Sequence, residues 1–485
     1  MASRKVVENN MLNILHYLGY IMQGLGIVLL SPIIVELIYG DYRNCIYFIV
    51  PCLISFALGT IFVRYCKRNE KLKLRSAMMV SSLAWLWASL ISAVIMVFYL
   101  NAPFIDVFFE NMSAWTGSGM TLFANVEILP YSILFLRSLE QWIGGLGVVV
   151  IFVAVLIRSG TSAARLYKSE AREEKIAPNI INTLRKTLHI YLLYTVMGVM
   201  LYILAGLPVF DAVNLTFTTI STGGMSIKNA NIGFYHNNIV YIITMFLMIL
   251  GATSFAVHYR IIKTKGKSFI KDIQVQVMLS LIVLATLSII YLTRNEPLQT
   301  LFHVISAITT TGANISSPEY MATWPSLSLL ILMVLMMIGG SSGSTVGAMK
   351  IIRVITAVKG IRLTLTKLSS PQGRVLSAKI AGKKLKENEI REATAYLFLY
   401  IVFLFFGWAT FLYFGYDPFM SLFDTISTQG NVGLSVGIIG PQLPDFVKIV
   451  LTFLMWIGRL EIIPVLIMIQ GVVLAIKDSL HLKIE

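Results

Sequence analysis

Four times along this chain a long apolar run gives way to a short piece rich in serine, threonine and glycine, and another long apolar run follows. The pieces read WTGSGMT (115–121), ISTGGMS (220–226), ITTTGANIS (308–316) and ISTQGNVG (426–433). Such residues make poor helix, and unpaired backbone is costly in hydrocarbon. The apolar runs are long enough to cross about 30 Å of hydrocarbon as helices of roughly 20 residues. Of 485 residues, 56% are hydrophobic and only 13% charged, with a mean hydropathy of +0.77. Soluble domains are about a quarter charged, so the sequence is that of a polytopic membrane protein. Alternating ten-residue segments are not its pattern, which argues against a β-barrel.

The runs predict ten full spans, at about 11–38, 45–63, 77–100, 132–157, 187–207, 238–259, 275–293, 326–363 with a break inside, 393–415 and 446–476. Four shorter segments, 104–115, 209–220, 297–308 and 418–426, lead into the polar pieces. They are too short to cross a bilayer and suit re-entrant half-helices. Pro103, Pro208, Pro297 and Pro418 mark their starts, and Asp106, Asp211, Glu296 and Asp417 supply acid where the helix dipole favours it. An even number of spans puts both termini on one side. The loops on that side, 64–76, 158–186, 260–271 and 350–391, hold most of the basic residues, eleven of them in the last. The other side holds few: Arg43, Lys228, Arg294 and Lys448, with Arg137 near a span end. Lysine and arginine favour the cytoplasmic face, so both termini are expected there, and the net charge of +15 needs no nucleic acid. The half-helices then all enter from outside.

The expected fold is therefore an all-α polytopic membrane protein. It has four span–half-helix–filter–span repeats around a pseudo-fourfold pore, plus two extra N-terminal transmembrane helices. The divisions are 1–76 for the two-helix extension, then 77–160, 185–263, 272–366 and 390–485 for the repeats. Non-helical backbone survives at membrane depth only where protein buries it or where it lines a watery path. Four such loops suggest one shared path, with carbonyls replacing the hydration shell of a dehydrated cation. The expected wall is Thr116, Gly117, Ser118 and Gly119; Ile220, Ser221, Thr222 and Gly223; Thr309, Thr310, Thr311 and Gly312; and Ser427, Thr428, Gln429 and Gly430, followed by Asn431. Loops of this composition also cap helices or pack them closely; their fourfold recurrence favours the filter.

The stretch MIGGSSGSTVGAMKIIR (337–353) breaks the second span of repeat three. It fails the phosphate-loop spacing G-x-x-x-x-G-K-[ST], and no strand precedes it. It reads as a flexible plug below the filter, or as a plain helix kink. The plug comprises Gly339, Gly340, Ser341, Ser342, Gly343, Ser344, Thr345, Gly347 and Lys350. Arg459, a charge inside a span, faces the pore as a barrier or serves as partner to buried carbonyls. Cys45, Cys52 and Cys66 and the six histidines give no metal spacing and no catalytic grouping, so no enzyme is expected.

The stretches LSPIIVELIYGD, RSLEQWIGGLGVVVIFVAVL (137–156), STGGMS, GGSSGSTVGAMK, GNVG and GRLE are similar to signatures of the TrkH/KtrB/HKT superfamily of potassium transporters, and the chain most resembles its TrkH branch. The resemblance implies a homodimer. It also implies a cytosolic TrkA-type ring that binds ATP/ADP or NAD(H) and controls opening, with the basic loops as its dock. Potassium is the implied ion, and no organic cofactor is implied on this chain. Gly119, Gly223, Gly312 and Gly430 match the filter glycines, 339–350 the intramembrane gating loop, and Arg459 the pore-facing arginine. Glycine rather than serine at position 119 goes with potassium in the family. Val346 and Ala348 stand where the gating loop is often glycine, and Gly117 where threonine is common. The function expected is potassium uptake across the cytoplasmic (inner) membrane. The alternative is a sodium- or proton-coupled symporter, which wants an ionisable group at the midplane; Glu461 is the one carboxylate read deep in a full span.

Overall fold

The structure, a computed structural model, describes residues 2–66, 72–148, 150, 161–169, 180–264, 267–371 and 376–481. Parts of the basic loops at 64–76, 158–186, 260–271 and 350–391 lie outside the described residues. The described elements are helices, apart from a hairpin of two short antiparallel strands, Lys379–Ile380 and Lys383–Lys384, in the last basic loop.

Among the described residues, six helical segments are long and apolar enough to cross a membrane unbroken: Met11–Tyr39, Tyr42–Tyr65, Leu74–Leu100, Ile180–Leu204, Ile273–Thr293 and Glu387–Tyr413. They are an N-terminal pair and the first span before each half-helix. Within the first segment, helix Ala2–Val28 gives way to Pro32–Tyr39. The pair packs through glycine: a Cβ on Gly19 would stand 2.7 Å from Gly59 O, and one on Gly59 2.6 Å from Gly19 O. Small residues allow this close approach where lipid offers no hydrophobic drive.

The second spans are not continuous, against expectation. Tyr131–Leu146 ends at Gly147, whose φ is 96°. Asn238–Gly251 turns by 103° into the next helix, and Asp445–Arg459 by 115°. Ser326–Ile338 yields to the non-helical stretch before Ile351–Leu368, the one break that the sequence announced. The physical cause is crowding beneath the half-helices. A Cβ on Gly144, Gly251 or Gly458 would fall 1.8, 2.7 or 2.0 Å from Trp115 O, Ile220 O or Gln429 O, the carbonyls at the half-helix ends. Only glycine lets the span come this close, and the chain then bends away.

The half-helices are Phe104–Thr116, Val209–Ile220, Pro297–Ile308 and Pro418–Gln429. Proline sits at or just before the first helical position in each, where the missing N–H costs nothing. The Asp417 carboxylate also caps its helix, accepting from Phe419 N at 3.0 Å and Met420 N at 2.8 Å. The packing is cyclic. Helix Tyr131–Leu146 packs on half-helix Val209–Ile220, Asn238–Gly251 on Pro297–Ile308, Ser326–Ile338 on Pro418–Gln429, and Asp445–Arg459 returns to Phe104–Thr116.

Candidate functional site

Each half-helix ends in a reversal with two left-handed residues flanking a third. The pairs are Gly117 and Gly119 (φ 72° and 76°), Thr222 and Gly224 (54° and 69°), Thr310 and Gly312 (50° and 72°), and Asn431 and Gly433 (52° and 104°). One backbone bond recurs in all four: Ser118 N to Ser113 O (2.9 Å), Gly223 N to Thr218 O (2.8 Å), Thr311 N to Ser306 O (3.0 Å) and Val432 N to Ser427 O (2.9 Å). These two patterns fix which residues correspond, and they correct the sequence register. The counterparts of Gly119 and Gly312 are Gly224 and Gly433, not Gly223 and Gly430. In the fourth repeat Ser427, Thr428 and Gln429 are the last helical residues, as Ile220 is in the second and Thr116 in the first. Ser221, Thr309 and Gly430 follow as caps, so the fourth turn runs 430–433 through Asn431 and Val432.

The corrected register reveals a closed cycle. A Cβ on Gly119 would lie 2.4 Å from Gly223 O, on Gly224 1.8 Å from Thr311 O, on Gly312 1.9 Å from Val432 O, and on Gly433 2.7 Å from Ser118 O. Each turn leans on a carbonyl of the next, and the fourth returns to the first. The Ser118 hydroxyl closes the same seam by donating to Thr428 O at 3.4 Å. The hydroxyl and amide residues of this ring are buried: Thr116, Ser118, Ser221, Thr222, Thr309, Thr310, Thr311, Ser427, Thr428, Gln429 and Asn431 are each no more than 2% exposed.

Directly against the ring lies the stretch 339–350. Ser341 N donates to Ala252 O at 3.0 Å and Thr345 N to Gly251 O at 3.2 Å, so the broken second span of repeat two finds its donors here. The Thr345 hydroxyl shares a hydrogen bond with that of Thr222 (3.0 Å), and Gly347 N donates to Thr310 Oγ1 (3.1 Å). A Cβ on Gly347 would stand 2.3 Å from Gly430 O. The stretch therefore touches three of the four turns. Ser342 N donates to Gln274 Oε1, and the Ser344 hydroxyl to Ser341 O within the stretch. Gly339, Gly340 and Gly343 lie at its start, Gly339 and Gly343 left-handed. Arg459 reaches the fourth side: its Nη1 donates to Thr345 O at 2.6 Å, its Nη2 to Gly144 O and Gly145 O at 2.5 and 2.8 Å. It thus clamps the stretch to the end of helix Tyr131–Leu146, and with Trp85 and Lys350 it lines a cavity on that side.

Lys350 ends the stretch in an ion pair with Glu461 at 2.5 Å; Glu461 also binds Arg353, whose guanidinium lies over the Tyr396 ring. Glu461 is 6% exposed and, with Ile462, occupies the left-handed hinge of the fourth second span. Removing one partner of a buried pair strands the other charges, at about 3–5 kcal/mol. Glu461→Gln is accordingly expected to lower the melting temperature of the detergent-purified protein by several degrees, measured by thermal unfolding. An unshifted transition would mean that the pair holds nothing.

Several buried polar groups escaped the sequence reading. Glu461 is not the only carboxylate deep in a span: Glu140, in Tyr131–Leu146, is fully buried beside Ser92, Trp115 and Arg137. Arg137, read as a residue near a span end, is 2% exposed and binds Glu110 through Nε (2.9 Å) and Nη2 (2.6 Å). Gln141 donates to Gly223 O at 2.7 Å and accepts from Met225 N at 3.1 Å, spanning the second turn. The available signal was a polar residue inside an apolar run, which in a bilayer demands a partner.

A family model described as TrkH, cation transport protein, matches residues 48–472. The chain belongs to this family of cation transporters, which is not an enzyme class. Among relatives, an uncharacterized cation transporter of Methanocaldococcus jannaschii is 40% identical over 472 residues, covering 96% of this chain and 97% of its own. The Trk system potassium uptake protein TrkG of Escherichia coli K12 is 30% identical over 475 residues, covering 94% and 97%. Among solved structures, the potassium transporter TrkH from Vibrio parahaemolyticus matches with a TM-score of 0.83 at 26% identity, covering 94% of this chain and 98% of that one.

Proposed function

We propose that this protein carries potassium into the cell across the cytoplasmic membrane, through a filter formed by the four turns. The observation that carries the reading is the closed cycle of turns with the stretch 339–350 packed against it. Half-helices aim their negative C-terminal ends at such a ring, which favours a cation. The turns alternate left-handed and ordinary residues, a backbone that suits successive carbonyls to a dehydrated ion. Potassium uptake is the function in the names of the TrkG and TrkH relatives.

In this reading 339–350 is the gate, with Lys350 and Arg459 as its fastenings. The units 77–160, 185–263, 272–366 and 390–485 are the four quarters, and 1–76 is an added pair. The protein works as a homodimer, with both termini cytoplasmic. A cytosolic TrkA-type ring binding ATP/ADP or NAD(H) docks on the basic loops and moves the gate. A coupled symporter is the second reading. It is favoured by Glu140, a fully buried midspan carboxyl, the kind of group that suits carrying a proton.

One assay separates the two. Protein in liposomes is expected to pass rubidium down its own gradient with no sodium present and no pH difference. Flux that requires either ion would favour the symporter, and no flux under any condition would remove both.

A further inference from the structure

Two carboxylates behind the ring are placed alike. Glu110 accepts from the Thr121 hydroxyl (3.0 Å) and Leu122 N (3.1 Å). Asp424 accepts from the Ser435 hydroxyl (2.8 Å), Val436 N (3.0 Å) and Ile439 N (3.3 Å). In the register set by the turns these are the same positions: Glu110 corresponds to Asp424, Thr121 to Ser435, and Leu122 to Val436. Both carboxylates are fully buried within their half-helices, and both hold the limb that leaves the turn. The same position holds Leu215 in the second repeat and His303 in the third, where the ring bonds Gln299 O of its own helix through Nδ1. The first and fourth turns are neighbours in the cycle, meeting at Gly433 and Ser118 O. One seam of the ring is thus anchored twice by carboxylates.

We infer that Glu110 and Asp424 are positioning residues that set ion discrimination, by holding the exit limbs of turns one and four away from the axis. The inference rests on the filter reading above. A ring that accommodates potassium must resist shrinking around a smaller ion, and tethers behind the wall supply that resistance. A hydrogen bond to a charged acceptor is stronger than a neutral one and leaves its limb less freedom. Arg137 adds to the first anchor: its Nη1 also donates to Ser226 O, on the exit limb of turn two, at 3.3 Å.

The test compares rubidium and sodium influx in liposomes. Ser435→Ala and Thr121→Val each remove one neutral hydroxyl and leave the Arg137 pair in place. Each is expected to lower rubidium-over-sodium discrimination by about tenfold or more, the worth of a hydrogen bond to a charged acceptor, while Ser435→Thr keeps the parent ratio. Asp424→Asn, which replaces the charged acceptor, is expected to lose more. Variants that elute as the parent does and discriminate equally well would overturn the inference and leave the filter reading intact. A parent protein that passes no rubidium, or that passes both ions alike, would instead strike the filter reading itself.

Discussion

Deleting residues 341–348 is expected to raise rubidium influx through the protein reconstituted alone, by about tenfold or more. The segment is held by bonds to repeats two, three and four: Ser341 N and Thr345 N on Ala252 O and Gly251 O, Thr345 on Thr222, Gly347 N on Thr310, and Arg459 on Thr345 O, with Arg459 tying it on to Gly144 O and Gly145 O of repeat one. Nothing in it is helical or strand, so tertiary contacts fix its position: these bonds, that of Ser342 N to Gln274, and the packing of buried Val346 and Ala348. A charge-assisted bond such as that from Arg459 contributes about 1.5–3 kcal/mol, and losing only about 1.4 kcal/mol of closed-state preference shifts a population tenfold. Arg459→Gln should therefore move flux in the same direction by a smaller factor. Flux identical to the parent in the deletion would refute the gate, whatever the filter does.

The second large effect concerns the glycines of the ring. Gly224→Ala and Gly433→Ala are expected to abolish selective flux, while Gly223→Ala and Gly430→Ala are expected to be milder. Gly224 and Gly433 have positive φ, which costs an alanine about 1–2 kcal/mol before any contact is counted. Their Cβ would then meet backbone, at 1.8 Å from Thr311 O and 2.7 Å from Ser118 O. At Gly223 the clash is with the Gln141 side chain, and at Gly430 the nearest atom is 2.9 Å away with φ at −72°. Gly119→Ser, with its Cβ 2.4 Å from Gly223 O, is expected to relax discrimination against sodium. The reverse order, with Gly223 and Gly430 the sensitive pair, would restore the sequence register and sink the one set by the turns.

The half-helices were legible because proline and acid announce their starts. The register was not legible, because two glycines compete: 223 with 224, and 430 with 433. A count from the helix caps would have decided it. Gly119, Gly224, Gly312 and Gly433 each stand 16 residues after the cap, Pro103, Pro208, Glu296 or Asp417. The helix fixes the length, so the turn arrives at a constant distance. The breaks in the second spans were hidden for another reason. Gly144, Gly251 and Gly458 sit in apolar surroundings where glycine is ordinary for a membrane helix; only the neighbouring half-helix makes them obligatory. Glu110 and Asp424 were passed over because their partners lie 11 and 12 residues onward, across the turn. Arg459 binds backbone oxygens, and one of them, Thr345 O, belongs to the stretch 339–350.

The seam between Ser118 and Thr428 joins residues 310 positions apart. A ribosome feeding this polypeptide into the bilayer therefore delivers three quarters of the ring before the residues that close it exist. Until the last hairpin inserts, the polar turns must wait with one flank unsatisfied. Late synthesis, not early insertion, becomes the step that commits the nascent protein to maturity. Products truncated before residue 433 should be recognised as unfinished and cleared by membrane proteases, rather than persisting as partial conduits.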